Sequence, residues 1–159
     1  MKRIWDGDIM KKILTIIIAL TILSSSGCSA PNDEVLTSLG EYKTKEYFTS
    51  GGFQDYTDYA KYTYEKIEFS DNKYFKQIST DSEKDLKAHI ENFEECIESI
   101  KNSDSKNELV LGYDFDASVI SDDDYLHIYD DPDYPELGNY DIYYYDIENM
   151  TLYYFHNNI

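Results

Sequence analysis

From Lys11 to Ser29 the chain reads Lys-Lys-Ile-Leu-Thr-Ile-Ile-Ile-Ala-Leu-Thr-Ile-Leu-Ser-Ser-Ser-Gly-Cys-Ser, and this stretch limits what the rest can become. Two lysines precede about eleven mostly apolar residues, Ile13–Leu23, and small residues then lead to Cys28. A basic head, an apolar middle and a small-residue exit are the three parts of a secretory signal. A membrane-crossing helix needs about 20 apolar residues, so this run is too short to span. The folded body is therefore expected to begin after it.

Ser25-Ser26-Gly27-Cys28 resembles the lipobox of bacterial lipoprotein precursors, with Leu23 as the nearest aliphatic residue and Ser25 where that family usually has leucine. The resemblance implies that the Cys28 sulfur is alkylated with a diacylglyceryl group and that the chain is cut between Gly27 and Cys28. Small side chains suit a peptidase that must take extended backbone at the membrane surface. Two acyl chains on one sulfur make a durable anchor where one alone binds reversibly. Asp6 and Asp8 are foreign to a basic leader, so Met10 is the expected start of translation. The resulting organisation is a leader over 1–27, a lipidated anchor and tether over 28–42, and one acidic domain over 43–159.

Four of the 14 basic and two of the 32 acidic residues fall in 1–27, which leaves the body ten against 30 and a formal charge of −20. Nucleic acid is thereby excluded as a partner, because affinity for phosphates comes from Lys and Arg. The body should also stand off an anionic bilayer, with the lipid as its attachment. Its size suits one domain with a real core. Cys96 is the one cysteine beyond Cys28, so no disulfide within an acylated body is expected, and a monomer held by packing follows.

Beyond the Thr49-Ser50-Gly51-Gly52 break, Phe53, Tyr56, Ala60, Tyr64 and Ile67 recur at helical spacing. Tyr74, Phe75 and Ile78 suggest a short second helix. Thr80 and Glu83 have capping-box spacing in front of Leu86, Ile90, Phe93, Ile97 and Ile100, whose steps of 4, 3, 4 and 3 predict an amphipathic helix. His89 and Cys96 flank that stripe, where core helices routinely carry such residues. From Leu109 the period becomes 2, and strands are predicted over Leu109–Phe115, Tyr125–Tyr129, Tyr140–Tyr145 and Thr151–His156. Asp146–Met150 connects the last two as a hairpin, with Asn149 suited to a left-handed turn position. The expected fold class is α+β, two or three N-terminal helices packed on a C-terminal antiparallel sheet of about four strands.

Carboxylates crowd the strand ends at Asp114, Asp116, Asp122, Asp123, Asp124, Asp130, Asp131, Asp133 and Glu136. Asp114 with Asp116, and Asp131 with Asp133, have the paired spacing a hard cation uses, but the glycine and distant glutamate of an EF-hand loop do not follow. A solvated acidic rim is the reading adopted, with no metal, cofactor or catalytic set expected. The predicted strands bear aromatic residues on both faces, and Tyr143, Tyr145, Tyr153 and Phe155 are the candidate contact residues. The chain is expected to be a lipid-anchored extracytoplasmic binding module for a basic protein or peptide. The alternative is an extracytoplasmic hydrolase or divalent-cation-binding protein.

Overall fold

A computed structural model describes residues 33–52, 55–134 and 137–158. In chain order the elements are α1 (Asp33–Thr37), β1 (Thr44–Thr49), β2 (Tyr56–Thr63), β3 (Lys76–Gln77), α2 (Thr80–Ser103), α3 (Glu108–Gly112), a 3-10 turn over Ala117–Val119, β4 (Tyr125–Asp130), β5 (Asn139–Asp146) and β6 (Thr151–Asn158). The strands form one antiparallel sheet in the order β1-β2-β6-β5-β4-β3.

This corrects the expected architecture of two or three helices on about four strands. Among the described residues there are six strands, and only α2 is a long helix. The segment around Ala60, expected to be helical, is strand β2, with residues buried on both sides of it. Tyr56, Ala60 and Tyr64 of the expected helix fall at steps of four, a spacing that also fits one face of a strand, and a strand covered on both faces loses its period of 2. Its Tyr and Thr content favours the pleated backbone. Tyr74, Phe75 and Ile78 surround the two-residue β3 rather than a helix. Leu109–Phe115, expected to be a strand, begins as α3, with the Asn107 side chain accepting from the Leu109 N–H. The alternation there carries no burial, since Leu111 is exposed beside a fully buried Leu109.

Helix α2 forms where the 4-3-4-3 spacing placed it, one residue off in its cap. Ser79 is the N-cap, its hydroxyl accepting from the Ser82 N–H while the Ser82 hydroxyl accepts from the Ser79 N–H. Leu86, Ile90, Phe93 and Ile97 are buried against Tyr59, Tyr140, Ile142, Tyr144 and Phe155 of the sheet. The opposite face carries a second core. There Val35 and Leu39, in and just after α1, and Phe69 and Phe75 from the β2–β3 connection cover Ala60, Tyr62, Tyr143, Tyr145, Leu152 and Tyr154. The stretch read as a tether is therefore packed on the sheet through Val35 and Leu39.

The β5–β6 hairpin is present, closed by the Asp146–Thr151 pair. The buried Asp146 carboxylate accepts from the Asn149 N–H at 2.9 Å and from its Nδ2 at 2.8 Å. The left-handed residue is Met150, at φ 51°, and not Asn149. At the other side of the sheet, Gly112 lets Phe48 of edge strand β1 close on α3, since a Cβ there would lie 2.3 Å from the Phe48 ring.

Candidate functional site

Cys28 and Glu136 lie outside the described residues. Several of the other carboxylates singled out from sequence have local employment, while Asp122 and Asp123 stand exposed. Asp114 accepts from the Tyr59 hydroxyl at 2.9 Å and from Lys61 Nζ at 2.7 Å. Partial burial opposes its charge, but those two bonds hold Asp114 below the usual carboxylate range. Asp116 caps the 3-10 turn through the Ser118 N–H, which lowers it too. Asp131 accepts from the Asp133 N–H and from Asn139 Nδ2, while Asp133 stands exposed. Among the described residues no group of three His, Cys, Asp or Glu side chains is placed to hold a metal.

Asp124 belongs to the fold. It is fully buried, and its carboxylate accepts from the Tyr144 hydroxyl at 2.6 Å, the Ser121 N–H at 2.8 Å and the Ile147 N–H at 3.0 Å. Asp124→Ala should cost about 3 to 5 kcal/mol, because the buried Tyr144 hydroxyl and two part-buried backbone N–H groups lose their acceptor at once. Urea denaturation should show the midpoint falling with an unchanged slope.

The aromatic contact residues are placed in the two cores. Tyr143 and Tyr145 are 1% exposed and Phe155 is fully buried, while Tyr153 is half-buried on the α2 side. They do not share one surface, since residues 143 and 145 face away from α2 whereas 153 and 155 face it. Burial, followed by the Asp146 charge, pushes Tyr145 up to about 12. These rings are packing residues, and an exposed tyrosine face is not built from them.

His89 and Cys96 are likewise separated in role. Buried His89 has Nδ1 2.9 Å from the Asp85 carbonyl and Nε2 2.8 Å from the Asp130 carboxylate, which ties α2 to the end of β4. Cys96, two turns on, lines an open cleft of about 520 Å³ between the C-terminal half of α2 and the loop after β1. Burial raises its thiol, and the neighbouring Asn157 side chain offsets this only in part, so it lacks the electropositive setting of a reactive cysteine.

The arrangement that sequence reading missed crosses the middle of the sheet. Strand register sets Asp58 of β2 beside His156 of β6, and His156 beside Asp141 of β5. Directly paired residues project to the same face with Cβ atoms about 5 Å apart. His156 Nδ1 lies 2.9 Å from Asp141 Oδ1, and the Tyr154 hydroxyl donates to that same oxygen at 2.6 Å. Burial first, then the Asp141 charge, drives Tyr154 far above the ordinary phenol range, so it remains a donor. With Nδ1 donating to a carboxylate, a neutral imidazole presents Nε2 as an acceptor.

That Nε2 has no hydrogen-bond partner, and neither does Oδ1 of Asp58, a residue only 1% exposed. Tyr56 packs on the imidazole with ring centroids 4.9 Å apart. Among the described residues no lysine pairs with Asp58 or Asp141. Two carboxylates thus flank one imidazole with hydrogen-bonding capacity left over. Asp58 and His156 are 98 positions apart in the chain, so only the β2–β6 pairing unites them. No known protein family, curated protein or solved structure matches the chain.

Proposed function

We propose that the chain is a lipid-anchored extracytoplasmic binding module for a basic protein or peptide. The location rests on the lipobox-like Ser25–Cys28 at the end of the apolar run. Binding rests on one observation, the Asp58–His156 pair beside Asp141, where Asp58 Oδ1 and His156 Nε2 are held in place without donors of their own. A buried acceptor atom left without a partner costs the fold free energy, and sites that keep such a cost are disproportionately those that meet a ligand. The body's charge of −20 adds a long-range attraction for cations.

Cys28→Ala is expected to abolish acylation and to leave uncut precursor. Metabolic labelling with a fatty-acid analogue checks it, and label persisting in the alanine variant would remove the anchor assignment. For binding, the full-length protein should capture a basic partner from native cell envelopes with or without chelator. Exposed charge pairs are screened by salt, so capture should fade as ionic strength rises. Capture that needs a divalent cation, or recovery of neutral or acidic proteins alone, would contradict the reading.

A further inference from the structure

We infer that the outer edge of β4, from Ile128 to Asp130, is a docking edge at which an extended basic peptide adds to the sheet as a further strand. The inference deepens the binding-module reading and rests on it for the partner's charge. Along an antiparallel strand, residues that bond one neighbour alternate with residues that bond the other. The Asp131 N–H donates to the Asn139 carbonyl at 3.0 Å on the β5 side, and the Ile78 N–H donates to the Asp124 carbonyl at 2.9 Å on the β3 side. Odd-numbered positions of β4 therefore bond β5, and even-numbered positions face outward. Leu126 faces Lys76, where the ladder with β3 stops, because the N–H groups of Tyr74 and Phe75 turn to Asn72 Oδ1 instead, at 2.9 and 3.2 Å. Ile128 and Asp130 each present an N–H and a C=O beyond that point, with no backbone partner for them among the described residues. The β1 edge differs, since α3 packs on Phe48 and the Thr49 N–H donates to the Glu108 carboxylate at 3.4 Å.

Side chains beside this edge set the chemistry of the added strand. Asp130 projects to the α2 face, where its carboxylate and that of Asp85 flank the His89 imidazole, and the two side chains are 55% and 60% exposed. Among the described residues no lysine pairs with either. Tyr129 projects to the opposite face and is 53% exposed. Side chains of an added strand alternate in the same way, so a cationic residue on one face meets the two carboxylates while its apolar neighbour lies against Tyr129. The peptide that fits is extended, alternates cationic with apolar residues, and lies antiparallel to β4 in line with β3. Lys76 stands opposite Leu126, four positions and about 13 Å along the strand from Asp130, so it belongs to the covered end. A second copy of the chain fits poorly, because pairing two β4 edges brings Asp130, Asp131 and Asp133 of each acidic body to one contact.

The test follows amide hydrogen exchange in the full-length chain in detergent, alone and with three end-blocked peptides: Lys-Val-Lys-Val-Lys-Val-Lys, its glutamate counterpart, and the lysine peptide N-methylated on the backbone of each lysine. In the free protein the Ile128 and Asp130 amides should exchange fast, and those of His127 and Tyr129, bonded to β5, slowly. The lysine peptide should slow Ile128 and Asp130 about tenfold or more, and the other two peptides should not. Tyr129→Ala and Asp130→Asn should each weaken the lysine peptide about fivefold, whereas Glu148→Gln, an equal charge change at the β5–β6 turn, should leave it within about twofold. Ile128→Pro, which removes an outward N–H and no bond to β5, should abolish the slowing at Asp130. The exchange pattern of the unaltered chain decides the matter if that variant does not fold. Ile128 and Asp130 amides already protected in the free protein overturn the open edge, whether a second copy or another part of the chain covers it. Exchange unchanged by the lysine peptide overturns the docking edge, as does equal slowing by the glutamate or methylated peptide. A folded Ile128→Pro protein that still captures the envelope partner overturns this edge and leaves the module reading standing. A wild-type protein that captures no basic partner overturns the module reading and with it the partner inferred for this edge.

Discussion

Phe93→Asp should leave no cooperatively folded protein at 25 °C. Phe93 is fully buried at the centre of α2, with its ring 5.3 Å from that of Phe155 and 5.6 Å from that of Tyr113. Truncating a buried phenylalanine costs about 3 to 5 kcal/mol through lost transfer and the cavity left behind. A carboxylate in that cavity adds several more, for it would be set among the hydrophobic side chains of the cluster. Domains of this size have roughly 5 to 15 kcal/mol in hand, so the sum reaches or exceeds the whole stability. Circular dichroism should show the helical signal gone and no thermal transition. Phe93→Leu, which keeps most of the volume, should melt cooperatively at a lower temperature. A well-folded Phe93→Asp protein would mean that α2 presents a different face to the sheet.

Alkali should unfold this protein more abruptly than acid. Tyr59, Tyr64, Tyr140, Tyr144 and Tyr154 are all buried, and for each of them burial is the main cause of an ionisation held above the ordinary value near 10. Asp114 beside Tyr59, Asp124 beside Tyr144 and Asp141 beside Tyr154 push in the same direction. A raised value means that the folded state keeps its proton while the unfolded chain loses it. The stability from these rings is therefore fully present below pH 10 and drains away as the pH climbs beyond it. One unit above the unfolded value each ring forfeits about 1.4 kcal/mol, and five forfeit about 7 kcal/mol. The expected result is a steep unfolding transition between about pH 10 and 12, followed by phenolate absorbance and circular dichroism together. Tyrosines that ionise near pH 10 with the fold intact would show that these rings are reached by solvent.

Helix α2 was legible because its period is enforced by a single buried stripe. Leu86, Ile90, Phe93 and Ile97 meet the sheet, while Glu91, Glu94, Glu95 and Glu98 between them remain in water. Strands β4, β5 and β6 were legible from clustered tyrosine and β-branched residues, and their hairpin from Asp146 and Asn149. Strand β2 was not, because both of its faces are covered and burial no longer alternates. Nor was β1, whose Thr44 and Thr49 ends look like loop and whose place is set by pairing with β2. The contact residues Tyr143 and Tyr145 were misplaced for a related reason. Side-chain direction follows from the period, but whether a face is covered depends on α1 and the β2–β3 connection, which pattern alone does not dock. Asp58 and His156 escaped notice because each is unremarkable in its own segment.

The sheet's centre is assembled from distant parts of the chain. Thr57 of β2 hydrogen-bonds Asn157 of β6 across 100 positions, and β6 then pairs with β5 on its other side. Neither core can close until β6 has been supplied, since Phe155 belongs to one cluster and Leu152 and Tyr154 to the other. Long-range strand pairing of this kind is slow, because loop entropy is lost before the contacts repay it. While the ribosome is still making the chain, α2 has no completed sheet to dock on, and the partial product has no stable tertiary structure. The same topology that builds the sheet therefore keeps the nascent chain open until its last strand has been made.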